Sequence, residues 1–189
     1  ITVAGIQSAF ALELSGKFIQ GGLVTGKVDP GTKLTLDGQP VAVAPDGSFI
    51  IGFGRKAKAK MVLRAEPPEG LPETRELAIE KRKYNGVDVA APRGTPVKTM
   101  GDGIVALVNQ DMFFTGKTVM IDHGLGLTSV YIHMDKITVK EGDFVTKGMQ
   151  IGTVGATGRV TGPHLHWGVS WFKTHLDPAL LVGPQKPIE

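Results

Sequence analysis

Short alternating apolar segments, each closed by a glycine-bearing turn, constrain this chain more than any other feature of its sequence. In "KLTLDGQPVAVAPDGSFIIGF" the pairs Asp37-Gly38 and Asp46-Gly47 separate Leu34/Leu36, Val41/Val43 and Phe49/Ile51. Asp-Gly between such runs is a hairpin signal, because both residues tolerate positive φ. Further strands are expected around Gly22–Val28, Ala59–Ala65 and Arg75–Ile79, with "EPPEGLPE" as a loop. Strands at this spacing predict a small β sandwich over about residues 10–80. Its acids and bases are scattered over expected turns, which suits a folding or docking module.

From Gly86 the pattern repeats in another form. "GTPVKTMGDGIVALV", "KTVMIDHG", "LTSVYIHM" and "KEGDFVTKGMQIGTVG" each read as a strand bounded by Gly or Asp. "GTPVKTMGDGIV" and "GDFVTKGMQIGTV" echo one another faintly, as repeated hairpins of a barrel would. No sustained helical periodicity appears in this half. The expected fold is therefore all-β, with residues 1–80 as an accessory sandwich-like region. Residues 81–85 form an abrupt seam, 86–183 a second β region, and 184–189 an exposed, proline-bearing tail.

Composition excludes several classes. The chain has no cysteine, so disulfide frameworks and thiolate metal sites are out. No run of about 18 apolar residues is present, which removes a helical membrane span. A formal charge of +3 suits an anionic polymer as partner, but no basic run with interleaved aromatics points to nucleic acid.

Two of the chain's five histidines flank one leucine in "TGPHLHWGVS". On a strand, His164 and His166 face the same way with Cα atoms roughly 7 Å apart. One ring could bind a metal while the other addresses a water beside it; a polar strand face would give the same pattern. "TSVYIHM" sets His133 in an apolar strand, where an unpaired imidazole is costly to bury. "NGVDVAAP" sets Asp88 in an apolar run, where a buried carboxylate needs a cation or several donors, unless it caps a turn.

The stretches "GVDVAAPRGTPV", "VMIDHGLGLTSVYIHM" and "VKEGDFVTKGMQIGTVGATGRVTGPHLHWGV" resemble the lysostaphin/LytM-type zinc metallopeptidases, the M23 family. The likeness runs from about Asn85 to Leu181. It implies a β barrel or sheet peptidase domain of the duplicated-hybrid-motif type. It also implies Zn²⁺ as cofactor, peptidoglycan peptides as substrate, and export to the periplasm or beyond the cell. A regulatory protein partner is compatible with it. By the same resemblance Asp88 and His166 would bind zinc, and His133 and His164 would be the two catalytic histidines outside the ligand set. His123 would support the site from a loop, and His175 would lie on the surface.

One residue departs from that pattern. The family's first ligand is a histidine four residues before the aspartate, and here that position is Tyr84. Tyrosine's pKa near 10 makes phenolate a poor substitute at neutral pH. Relatives also carry a linker and a Gly-, Ser- and Phe-rich strand just before this motif, which the seam lacks. Two expectations follow. Either a segment is missing between Tyr84 and Asn85, or the domain is a degenerate homologue that binds peptidoglycan or regulates another hydrolase. A cupin-like HxH metalloprotein would want a glutamate shortly after the pair, and Gly168 to Lys173 supplies none.

Overall fold

The computed structural model describes residues 12–84 and 87–182. The first stretch forms β1 (Glu13–Gly16), β2 (Leu23–Lys27), β3 (Lys33–Leu36), β4 (Gln39–Val41), β5 (Ser48–Gly52), β6 (Lys60–Glu66) and β7 (Glu73–Ala78). One antiparallel sheet runs β1-β2-β5 and another β4-β3-β6-β7. Val24, Phe49 and Ile51 from one sheet share a buried cluster with Leu34, Leu36, Leu63, Ala65 and Leu77 from the other. Alternation puts these side chains inside, and β6 shows it most plainly, with Leu63 and Ala65 buried between exposed neighbours.

The two Asp-Gly turns differ. Asp37 (φ 48°) and Gly38 (φ 78°) join β3 to β4 as a two-residue turn with positive φ at both centres. Asp46-Gly47 sits in a longer loop that leads from β4 into the other sheet, held by Asp46 Oδ1 accepting the Ser48 N–H at 3.0 Å. "ELAIEKRKY", which could be strand or short helix, begins as strand in β7.

The second stretch forms β8 (Val87–Ala90), β9 (Pro96–Lys98), β10 (Gly103–Met112), β11 (Gly116–Asp122) and β12 (Leu127–Ile137). It continues with β13 (Phe144–Val145), β14 (Gln150–Val154), β15 (His164–Trp171) and β16 (Thr174–Leu176), then a 3₁₀ turn at Pro178–Leu180. These nine strands make one sheet, with β10, β11 and β12 as adjacent long strands and β15 between β12 and β8. Val119, Ile121, Tyr131, Ile151, Leu165, Trp167 and Val169 fill its core. The fold is all-β, as expected, and the only helical turn among the described residues is the short one at Pro178.

The two regions touch through specific contacts. Trp171 packs against both buried clusters. Arg82 pairs with buried Asp177 at 2.6 Å, and the Asp177 N–H donates to Gly21 O. The expected break between Tyr84 and Asn85 and the expected exposed tail at 184–189 lie outside the described residues.

Candidate active site

β15 explains why one tripeptide can carry chemistry. Leu165, Trp167 and Val169 point into the core, so the pleat puts His164 and His166 on the opposite face. β8 pairs with it antiparallel, setting Asp88 directly across from His166 and Ala90 across from His164. Directly opposed residues share a face with Cβ atoms about 4.5–5.5 Å apart. The Asp88 and His166 side chains meet there, with Nδ1 and Oδ1 2.6 Å apart. At that distance Nδ1–H donates a charge-assisted hydrogen bond to the carboxylate.

Asp88 corrects one expectation. Its side chain is 66% exposed rather than buried, so solvation and His166 satisfy it. The apolar residues around it in sequence belong to the other face: Val87 and Val89 are half-buried, and Asp88 and Ala90 are exposed. A run that reads as apolar along the chain is amphipathic once it is a strand.

His133 reaches the same place by a different route. Ser129 and Tyr131 alternate inward along β12, and strict alternation would send His133 inward with them. Instead its φ is +63°, and the ladder with β11 slips between Lys117 and Val119. Such bulges re-aim side chains, and a β-strand histidine holds positive φ only where its surroundings enforce it. The ring ends 4.8 Å from that of His164, centroid to centroid.

Both rings are oriented by carbonyls. His133 Nδ1 lies 2.9 Å from Thr157 O, and His164 Nδ1 lies 2.9 Å from Gly162 O. A carbonyl only accepts, so each Nδ1 carries the proton, and each Nε2 is left with a lone pair in the neutral ring. Burial holds the His133 pKa below its ordinary value, partly offset by the Thr157 bond and reinforced by neighbouring His164. His133 is thus a neutral base at neutral pH. Sequence reasoning did not single out Thr157 and Gly162; the glycine-dense "GATGRVTGPH" was the available signal.

The other candidates stand apart. His123 spends both ring nitrogens on structure, at 2.6 Å from Asp102 O and 2.7 Å from Ser129 Oγ. His175 is exposed and bonds Ser170 Oγ at 3.0 Å. Tyr84 is buried, donates its hydroxyl to His175 O at 2.7 Å and lies under the Arg55 guanidinium. Burial raises its pKa against the pull of Arg55, so it stays a neutral phenol. A cavity of about 230 Å³ beside His166 is lined by Arg55, His175 and Pro178 as well. A larger cavity, about 530 Å³, lies among Val89, Leu165 and Trp167 on the far face of the same strands, away from the histidines.

The donor set fits a metal in part. One imidazole and one carboxylate meeting atom to atom have the donor chemistry of a zinc site, but catalytic zinc takes three protein ligands. Among the described residues no three such donors are placed so that together they could hold a metal ion.

The profile of Peptidase family M23 matches residues 82–178, just over half of the chain. This chain belongs to peptidase family M23. Within the family, the peptidoglycan DD-endopeptidase ShyA of Vibrio cholerae serotype O1 is 49% identical over 84 residues, 44% of this chain and 19% of that protein. The DD-carboxypeptidase/endopeptidase Mpg of Neisseria meningitidis serogroup B is 43% identical over 86 residues, 46% of this chain and 20% of that protein. The chain thus spans about a fifth of the length of these curated M23 relatives. A crystal structure from Pseudomonas aeruginosa assigned to peptidase M23 superposes with a TM-score of 0.73 at 28% identity. That match covers 90% of this chain and 96% of the other, so the likeness extends through both β regions.

Proposed function

We propose that the protein is a zinc-dependent endopeptidase that hydrolyses peptide cross-links of bacterial peptidoglycan, acting outside the cytoplasm. The observation that carries this reading is the convergence of Asp88, His133, His164 and His166 from three separate stretches onto one strand face. The name of ShyA, a peptidoglycan DD-endopeptidase, supports the substrate class, and that of Mpg supports the endopeptidase reaction. Asp88 and His166 would hold the metal, together with a third ligand that Tyr84 does not supply. Bound zinc supplies Lewis acidity, lowering the pKa of water and polarising a carbonyl.

The chain's own residues do the proton work. His133 and His164 each present Nε2 as an acceptor, with Nδ1–H committed to a backbone carbonyl. Either can take a proton from the attacking water, and the resulting imidazolium can stabilise the oxyanion or return the proton to the departing amine. Residues 12–80 carry no comparable constellation, and we assign them an accessory role.

Tyr84 favours a second reading, a metal-free domain that binds peptidoglycan without cutting it, since its hydroxyl is committed to His175 O. Metal content and cleavage of cross-linked muropeptides by the full-length native protein separate the two. One zinc per chain with cleavage supports the peptidase. Wall binding with neither metal nor cleavage establishes the binding domain instead.

A further inference from the structure

The bulge that turns His133 also breaks the hydrogen-bond ladder around it, and one side chain closes the gap. Lys117 and Met134 are register partners at the slip between β11 and β12. The Lys117 N–H donates to Thr157 Oγ1 at 2.9 Å, and the Thr157 hydroxyl donates to Met134 O at 2.8 Å. Donor and acceptor capacity of a single hydroxyl thus serves both strands. Met134 is fully buried and follows His133 directly, so an unmet carbonyl there would be costly.

The same residue offers its backbone oxygen to His133 Nδ1 at 2.9 Å. The His133 N–H donates to Thr115 O at 2.9 Å, and the Arg159 N–H to Phe114 O at 3.0 Å, so the loop and the β10–β11 turn are stitched together around the ring. Gly116, at φ +62°, lets them approach, because a Cβ there would collide with the Thr157 backbone and hydroxyl. Thr157 is therefore anchored on two strands by its side chain while its carbonyl addresses the histidine.

We propose that Thr157 is a positioning residue: its hydroxyl fixes the loop so that its carbonyl locks His133 as the Nδ1–H tautomer, with Nε2 turned to the reaction. The inference rests on reading His133 as a catalytic histidine, but its structural half is testable without turnover. The Thr157→Val variant keeps the shape and removes the hydroxyl, whereas Thr157→Ser keeps the hydroxyl.

The test uses the full-length protein, with ring-nitrogen ¹H–¹⁵N NMR assigned through loss of the His133 signals in His133→Gln, beside kcat and KM on cross-linked muropeptides. The expected result is the Nδ1–H tautomer for His133 in the unmodified protein and in Thr157→Ser, and mixed tautomers in Thr157→Val. In Thr157→Val, kcat should fall about 10- to 100-fold with KM within about twofold, and Thr157→Ser should restore it. An Nε2–H tautomer in the unmodified protein would overturn the proposal whatever the variants do. So would a Thr157→Val protein with unchanged tautomer and kcat, or a Thr157→Ser protein as impaired as Thr157→Val. If the unmodified protein cuts nothing, the peptidase reading falls, while the tautomer comparison still decides what Thr157 does.

Discussion

The two β regions use the same alternation to different ends. In the first, the inward face is apolar and the outward face carries ordinary surface charge, with ion pairs such as Lys60–Glu76 and Arg64–Glu66 lying in solvent. In the second, the outward face of β8 and β15 carries Asp88, His164 and His166, and a bulge in β12 adds His133. The difference shows how a sheet becomes a site. Regular pairing supplies two opposed residues on one face, and one irregular residue brings a third element to them.

Breaking the second face should produce the largest effects. His166→Ala removes one of the two proposed metal donors, and a catalytic zinc would not be held by the remainder. Metal content by mass spectrometry and muropeptide cleavage should both drop to background, with far-UV circular dichroism unchanged. His133→Ala should keep metal and lose about 10²- to 10⁴-fold in kcat, the usual worth of a positioned acid–base group.

Breaking the first region should show in stability alone. Phe53 is fully buried there, and Phe53→Ala should cost about 3–5 kcal/mol in chemical denaturation. The kcat of the molecules that remain folded should not change. Retention of full stability would mean that the first cluster is not a cooperative core.

A smaller effect should follow pH. Asp37 accepts the Val62 N–H at 2.8 Å and pairs with Lys58 at 2.9 Å, and these lower its pKa, the Val62 bond first. A depressed folded-state pKa gives stability that is present above the unfolded value near 3.8 and lost as pH falls through the folded one. Asp37→Ala should cost about 1 kcal/mol at pH 7. The gap to the unmodified protein should shrink as pH falls below about 4, read from denaturation midpoints.

The smallest effect concerns the hairpin tip beside the site. Phe113 and Phe114 are 78% and 63% exposed and stack edge to face at 4.8 Å, so they are neither core nor inter-region contacts. Phe113→Ala should leave stability within about 0.5 kcal/mol. If the pair walls the substrate groove, KM should rise a few-fold at constant kcat; an unchanged KM would remove it from the groove.

Much of this was legible along the chain, because its main signals are local. Asp37-Gly38 encodes its own turn, and the two-residue spacing of His164 and His166 sets their common face whatever the partner strand. Asp88 was legible as a participant but not as an exposed one, since its solvation depends on which face β15 leaves open. The positive φ of His133 and the Thr157 contacts were not legible. The bulge falls inside the β11–β12 pair, in a stretch of β12 that reads as regular strand, and the partner that holds it, Thr157, comes from a loop 24 residues beyond His133.

Cleavage of cross-linked muropeptides by the full-length protein, measured beside its His164→Ala variant at matched zinc content, tests most directly whether this strand face is a hydrolytic centre. His164 lies outside the expected ligand set and its Nδ1 bonds only the Gly162 carbonyl among the described residues, so its loss should spare the fold and the metal. The predicted result is a fall in kcat of about 10²- to 10⁴-fold at an unchanged melting temperature. Cleavage by the variant at the rate of the unmodified protein would contradict the account.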